Sequence, residues 1–259
     1  MRLESFWSKG KKALIPYLMV GYPDYETSYE AFRRVLQSGA DVLEIGFPFS
    51  DPVADGPTIQ MAHEIALKKG IRSKEVFEMS LRLREEFPQV PFLLMTYYNP
   101  IFRMGLKNFC ERAKDAGIDG FIVPDLPPEE GRELKGACSK FGLSLVFLAS
   151  PTSGERRLKL ICESSDSMVY FVSLTGTTGT RDALPIGQLK KNLELYRSIC
   201  KKPVVVGFGI SKPEQARDVA SLSDGVVVGS LLVRLVGERN LEGLEREFSD
   251  IKRAVGAIL

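Results

Sequence analysis

The chain has 259 residues, 44% of them hydrophobic and 26% charged, and 35 Lys/Arg against 33 Asp/Glu leave a net charge of +2. A composition this close to the globular average excludes a disordered chain, and it lacks the concentrated basic surplus of a nucleic-acid binder. No run approaches the roughly 18 consecutive apolar residues of a membrane span. The opening MRLESFWSKGKK has no apolar stretch of a secretory signal.

The predicted elements alternate. A β-rich run at 13–20 is followed by a helical pattern at 24–37, where Tyr29, Phe32, Val35 and Leu36 recur at spacings of three or four before Gly39. A second strand-like run covers 41–47, and a helical stretch at 59–68 carries the lone His63. We expect that histidine to be a capped or solvated helix residue rather than a base, and one histidine cannot make a multi-His metal site. A helix over 74–87, striped by Val76, Met79, Leu83 and Phe87, precedes the run at 91–97. Further strand-like runs follow at 120–124, 143–149, 168–173, 203–209 and 225–229. Lys212-Pro213-Glu214 opens another helix, with Pro near the first turn and Ser211 as the expected N-cap. Several runs barely alternate, as parallel strands covered on both faces require.

Eight such runs with helices between them predict an α/β fold, one (β/α)8 TIM barrel spanning 1–259. The rival, an open doubly wound sheet, should carry GxGxxG after its first strand, where this chain reads GYPD. Cys110, Cys138, Cys162 and Cys200 lie at least 24 residues apart, with no CxxC or zinc spacing. They are expected to be reduced, small buried hydrophobes in a cytoplasmic protein. Lys11, Lys12, Lys201 and Lys202 read as solvated surface.

A barrel of this kind works at the C-terminal ends of its strands. Glu44 interrupts an apolar strand there and shares its face with Gly46, which would leave room beside it. An inward carboxylate either pairs with a cation across the barrel or does acid–base work, and both readings stay open. Asp51 and Asp55 follow in a proline-stiffened loop, as turn formers or as a second carboxylate. The endings of the seventh and eighth runs, Gly207 to Ser211 and Gly229-Ser230, suit a phosphate held by backbone N–H groups. The small, polar loop at 173–181 suits a lid, a phosphate wall or plain flexible chain. Tyr97 could line an aromatic substrate or belong to the core, and Asp125 is a polar group on the same face. No strand-end lysine offers a Schiff base, and no serine triad is implied.

The segment EIGFPFSDPVADGPTIQ, from Glu44 to Gln60, closely resembles the signature of the tryptophan synthase alpha chain family. The likeness runs from about Lys9 to the C-terminal helix and takes in Gly176 to Gly179, Gly207 to Ser211 and Gly229-Ser230. It implies retro-aldol cleavage of indole-3-glycerol phosphate to indole and glyceraldehyde 3-phosphate, with no metal or organic cofactor. By resemblance, Glu44 is the principal acid–base, and Asp55 stabilises positive charge at the indole N–H. Gly179, Gly209, Gly229 and Ser230 match phosphate-holding positions, Thr178 a lid residue over Asp55, and Tyr97 the indole pocket. The family further implies a pyridoxal-phosphate-dependent β chain in an α2β2 heterotetramer, coupled through Asp51 and Pro52. A stand-alone indole-releasing lyase and a non-catalytic barrel that only binds such a partner stay open as alternatives.

Overall fold

The computed structural model describes residues 2–172, 185–207 and 209–258. Each predicted run contains a strand, trimmed at its ends. The strands are β1 (Ala13–Met19), β2 (Leu43–Gly46), β3 (Phe92–Met95), β4 (Gly120–Ile122), β5 in two pieces (Ser144–Val146 and Leu148–Ala149), β6 (Val169–Val172), β7 (Val204–Gly207) and β8 (Gly225–Val228). Every neighbouring pair is parallel. β1 pairs with β2 on one side (Tyr17 beside Glu44) and with β8 on the other (Ala13 beside Gly225). The first piece of β5 pairs with β4 and the second with β6, so the ring closes through β5 itself. That circuit is the barrel rather than an open sheet. Strands β1, β2 and β8 are buried at every position, which is why their sequences carry almost no polar alternation.

The helices are α1 (Arg2–Trp7), α2 (Tyr25–Gln37), α3 (Pro57–Lys68), α4 (Ser73–Glu86), α5 (Tyr98–Met104), α6 (Leu106–Asp115), α7 (Arg132–Phe141), α8 (Glu155–Ser164), α9 (Ile186–Ile199), α10 (Pro213–Leu222), α11 (Ser230–Gly237) and α12 (Leu241–Gly256). None among the described residues is long and apolar enough to cross a membrane. α2 begins one residue later than its pattern, because Asp24 acts as the cap: its Oδ1 accepts the Thr27 N–H at 2.9 Å. Ala31, Phe32, Val35 and Leu36 form its buried stripe. α10 starts at Pro213 with Lys212 in the cap position. Ser211 is not the cap, because its own N–H is turned to Gln215 Oε1 at 3.0 Å.

Two expectations are corrected at the helical layer. Cys162 and Cys200 are joined as a disulfide with Cα atoms 5.9 Å apart, whereas Cys110 and Cys138 remain free and buried. The side-by-side packing of α8 and α9 brings the joined pair together, and their 38-residue separation gives no hint of it. Lys12 and Lys202 are only part-exposed. Lys12 Nζ donates to the Ser223 carbonyl at 2.5 Å and Lys202 Nζ to the Cys162 carbonyl at 2.6 Å. Burial lowers the pKa of both ammonium groups. Lys11 and Lys201 are exposed as expected.

At the N-terminal end of the barrel, Asp119 binds Arg2 through one oxygen and Arg84 through the other, each at 2.9 Å. Arg84 also caps the carbonyls of Phe87, Val90 and Gly117. This network ties α1 and α4 to the start of β4 at the bottom of the barrel. The opposite end is left for chemistry.

Candidate active site

Glu44 lies in the middle of β2 with its side chain turned into the barrel. It is fully buried, and neither carboxylate oxygen has a hydrogen-bond partner among the described residues. Among the described residues, no cation pairs with it. Burial, and secondarily the charge of Asp55, push its pKa up to about 8. A carboxyl so placed is protonated at neutral pH and holds a proton it can deliver.

The space beside Glu44 is used differently from expectation. A Cβ on Gly46 would stand 2.6 Å from Tyr17 Oη, and one on Gly207 would stand 2.7 Å from Tyr170 Oη. These two glycines make room for phenols from neighbouring strands. Both tyrosines are buried, and burial together with the charges of Glu44 and Asp55 raises their pKa far above the ordinary value. They stay neutral and polar at the wall around Glu44. Sequence reasoning missed them. Their only signal was a phenol in each of two otherwise aliphatic inward faces.

Asp55 arrives from the loop after β2. The Val53 N–H bonds to the Asp51 carbonyl at 2.8 Å and the Asp55 N–H to the Pro52 carbonyl at 3.1 Å, so the segment folds back before α3. The Asp55 carboxylate is 11% exposed. Tyr97 donates its hydroxyl to Asp55 Oδ2 at 2.7 Å and accepts the Ala54 N–H at 3.0 Å. Its ring stacks on Phe49 at 5.2 Å, and burial beside Asp55 drives its pKa upward. Tyr97 thus touches Asp55 directly.

His63 corrects the sequence expectation outright. It is neither capped nor solvated but only 2% exposed, and its Nε2 lies 3.1 Å from Asp55 Oδ2. Its Nδ1 accepts the Phe49 N–H at 2.9 Å. The signal was present in the spacing: Ile59, Ala62, His63 and Ala66 form the buried stripe of α3, with the histidine on the apolar face.

On the far side of the rim, β7 ends at Gly207 and β8 at Val228. Gly209 has φ of +61°, a left-handed conformation that favours glycine. Gly229 precedes α11 with no side-chain cap, so the first N–H groups of that helix, from Ser230 onward, lack an intrahelical partner. Such a helix start beside an open glycine turn can hold an anion. Thr178 and Gly179 lie outside the described residues. Asp51 is exposed and takes its hydrogen bond from Ser50, while Val53 next to Pro52 is 80% exposed, so this part of the loop faces outward. Asp125 accepts the Tyr98 N–H at 2.9 Å and thereby caps the start of α5. No three His, Cys, Asp or Glu side chains among the described residues gather as a metal site.

Comparison with known proteins points to one family. The sequence model described as "Tryptophan synthase alpha chain" matches residues 3–257. The chain is 62% identical over 247 residues to the tryptophan synthase alpha chain of Aquifex aeolicus, covering 95% of this chain and 94% of that one. Its fold superposes with a TM-score of 0.91 on tryptophan synthase subunit alpha from Legionella pneumophila, at 37% identity over 99% and 97% of the two chains. A chain of Mycobacterium tuberculosis tryptophan synthase is similar at a TM-score of 0.89 and 34% identity, over 98% and 96% of the two chains.

Proposed function

The chain belongs to the tryptophan synthase alpha chain family and is an indole-3-glycerol-phosphate lyase of tryptophan biosynthesis; on that premise we propose that Glu44 is its acid–base and Asp55 its charge-stabilising carboxylate. The observation that carries the assignment is the buried, unpartnered Glu44 carboxyl, raised to about 8 beside Asp55.

The sequence of steps follows from the chemistry of the substrate. Glu44 gives its proton to indole C3, which turns the ring into an indoleninium and makes C3 a competent leaving carbon. Positive charge then sits at the ring N–H, where the Asp55 carboxylate accepts the hydrogen bond. The Glu44 carboxylate next takes the proton of the hydroxyl on the carbon bonded to C3. That C–O bond becomes a carbonyl as the C–C pair returns to the ring. Indole and glyceraldehyde 3-phosphate leave, and Glu44 ends protonated as it began. A positioned acid–base of this kind contributes about 10²–10⁴ in rate.

The phosphate is assigned to the N–H groups around Gly209, Gly229 and Ser230, with Gly179 joining them. Their glycines let backbone approach the anion, and binding there anchors the reacting end of the substrate over Glu44. Tyr97 is assigned to the indole pocket and Thr178 to a lid over Asp55. The whole chain, 1–259, acts as one barrel domain. Its partner is the pyridoxal-phosphate-dependent β chain in an α2β2 assembly, with Asp51 and Pro52 on the coupling loop. The outward-facing Val53 supports an interface at that loop. A cytoplasmic setting is assigned on the family and not on the cysteines, two of which are bonded to each other.

Indole release from indole-3-glycerol phosphate, assayed with and without added β chain, tests this reading. Turnover that rises with the β chain is the expected result. Turnover unchanged by it would remove the partner assignment, and full turnover by Glu44→Gln would remove the acid–base.

A further inference from the structure

A neutral imidazole has one nitrogen that donates and one that accepts. The Phe49 N–H can only donate, and it points at His63 Nδ1 from 2.9 Å. Nδ1 is thereby the acceptor, and the ring proton belongs on Nε2. That N–H faces Asp55 Oδ2 at 3.1 Å, and the Tyr97 hydroxyl reaches the same oxygen at 2.7 Å. Two neutral donors thus converge on one carboxylate oxygen. Among the described residues, Oδ1 accepts no hydrogen bond.

We infer that His63 is a positioning residue for the lyase reaction: locked in its Nε2–H form by the Phe49 N–H, it fixes Asp55 Oδ2 so that Oδ1 meets the substrate N–H. The inference rests on the role proposed above for Asp55.

The choice of side chain has a physical reason. A lysine or arginine in this place would also orient the carboxylate, but it would neutralise the charge that must answer the indoleninium. Neutral imidazole and phenol orient the group and leave its charge available. Both donors are also tied to the same loop. Phe49 holds His63 through its N–H and stacks on Tyr97 at 5.2 Å, while Ala54 donates to the Tyr97 hydroxyl. His63 therefore links the two ends of the Phe49-to-Asp55 loop to α3, and small errors in its placement pass directly to Asp55. Misplacement of a reacting group by about 1 Å can cost about 10² in rate.

The test is a double-mutant cycle. His63→Leu keeps an apolar side chain on the buried face of α3 and removes both hydrogen bonds. Its kcat should fall about 10- to 100-fold with KM changed less than about threefold. In an Asp55→Ala background the same substitution should cost less than about twofold, because there is no carboxylate left to orient. His63→Gln, which keeps an N–H donor near the Nε2 position, should recover part of the lost kcat. An equal loss in both backgrounds, or none in the native one, would overturn the inference. Native turnover in Asp55→Ala alone would instead overturn the Asp55 assignment. A further measurement needs no variant. His63 is the only histidine in the chain, so its ring nitrogens can be read by ¹⁵N NMR without assignment. The Nε2–H tautomer is expected, and an Nδ1–H tautomer would overturn the inference whether or not the variants fold.

Discussion

The two sides of the barrel rim solve different problems with different materials. Around β2 the proposed chemistry falls to side chains: Glu44, buried without a hydrogen-bond partner among the described residues, and Asp55, held by Tyr97 and His63. At the ends of β7 and β8 the phosphate binding proposed above would rest on backbone, with Gly209 in a left-handed turn and Gly229 opening α11 without a side-chain cap. A proton donor must be a titratable group, and tuning it requires removal from water, which destabilises its charged form. A phosphate needs only aligned N–H groups, which helix starts supply without burying a charge. The near-neutral composition of the chain is consistent with anion binding of that second kind.

This contrast can be tested from its strongest term downward. Glu44→Gln removes the proton donor and leaves the volume, so indole release should fall about 10³- to 10⁴-fold while phosphate-dependent substrate binding persists. The same substitution should show what burial of Glu44 costs the fold. Its folded pKa of about 8 stands above the 4.5 of the free group. Between those pH values the unfolded chain loses the Glu44 proton and the folded one keeps it. Wild-type stability should therefore fall, relative to Glu44→Gln, as pH rises from 4.5 to about 8, by as much as about 5 kcal/mol. Denaturant unfolding of both proteins at pH 5 and pH 9 measures it, and parallel curves would contradict the burial argument. For the same reason kcat/KM of the native enzyme should decline above about pH 8, as the acid is lost.

Asp55→Asn keeps the shape and removes the charge, and should lower kcat about 10²-fold, a smaller effect than at Glu44 because no proton transfer is lost. The backbone side should respond least. A Cβ at Gly209 meets nothing within 4 Å, so Gly209→Ala acts through its φ of +61° alone. A left-handed non-glycine residue costs about 1–2 kcal/mol, which should raise KM for the phosphorylated substrate about 5- to 30-fold with little change in kcat. A substrate analogue without the phosphate should not distinguish Gly209→Ala from native enzyme.

How much of this was legible depends on the range of the interaction that decides it. The barrel strands were readable because β-rich runs buried on both faces must be apolar almost throughout, and each contains a strand. Glu44 stood out as a charge inside an otherwise apolar run, where Asp41 stands only at the start. Asp55 needed the family resemblance, since a loop aspartate has many local uses. His63 was readable from the stripe Ile59, Ala62, His63 and Ala66, yet its polarity suggested solvent. What it bonds to is set by Phe49 and Asp55, which only the folded loop brings to it.

Sequence alone determined the alternating α/β plan, the strand positions, the inward-facing acid of β2 and the family signature, because these rest on local periodicity and on residue types that burial penalises. Tertiary structure decided the rest. It paired Cys162 with Cys200 across two helices and filled the space beside Gly46 and Gly207 with phenols from neighbouring strands. It also gathered Tyr97 and His63 on one oxygen of Asp55. Each of these joins residues from different elements, and no spacing along the chain encodes where a closed ring of strands will set them side by side.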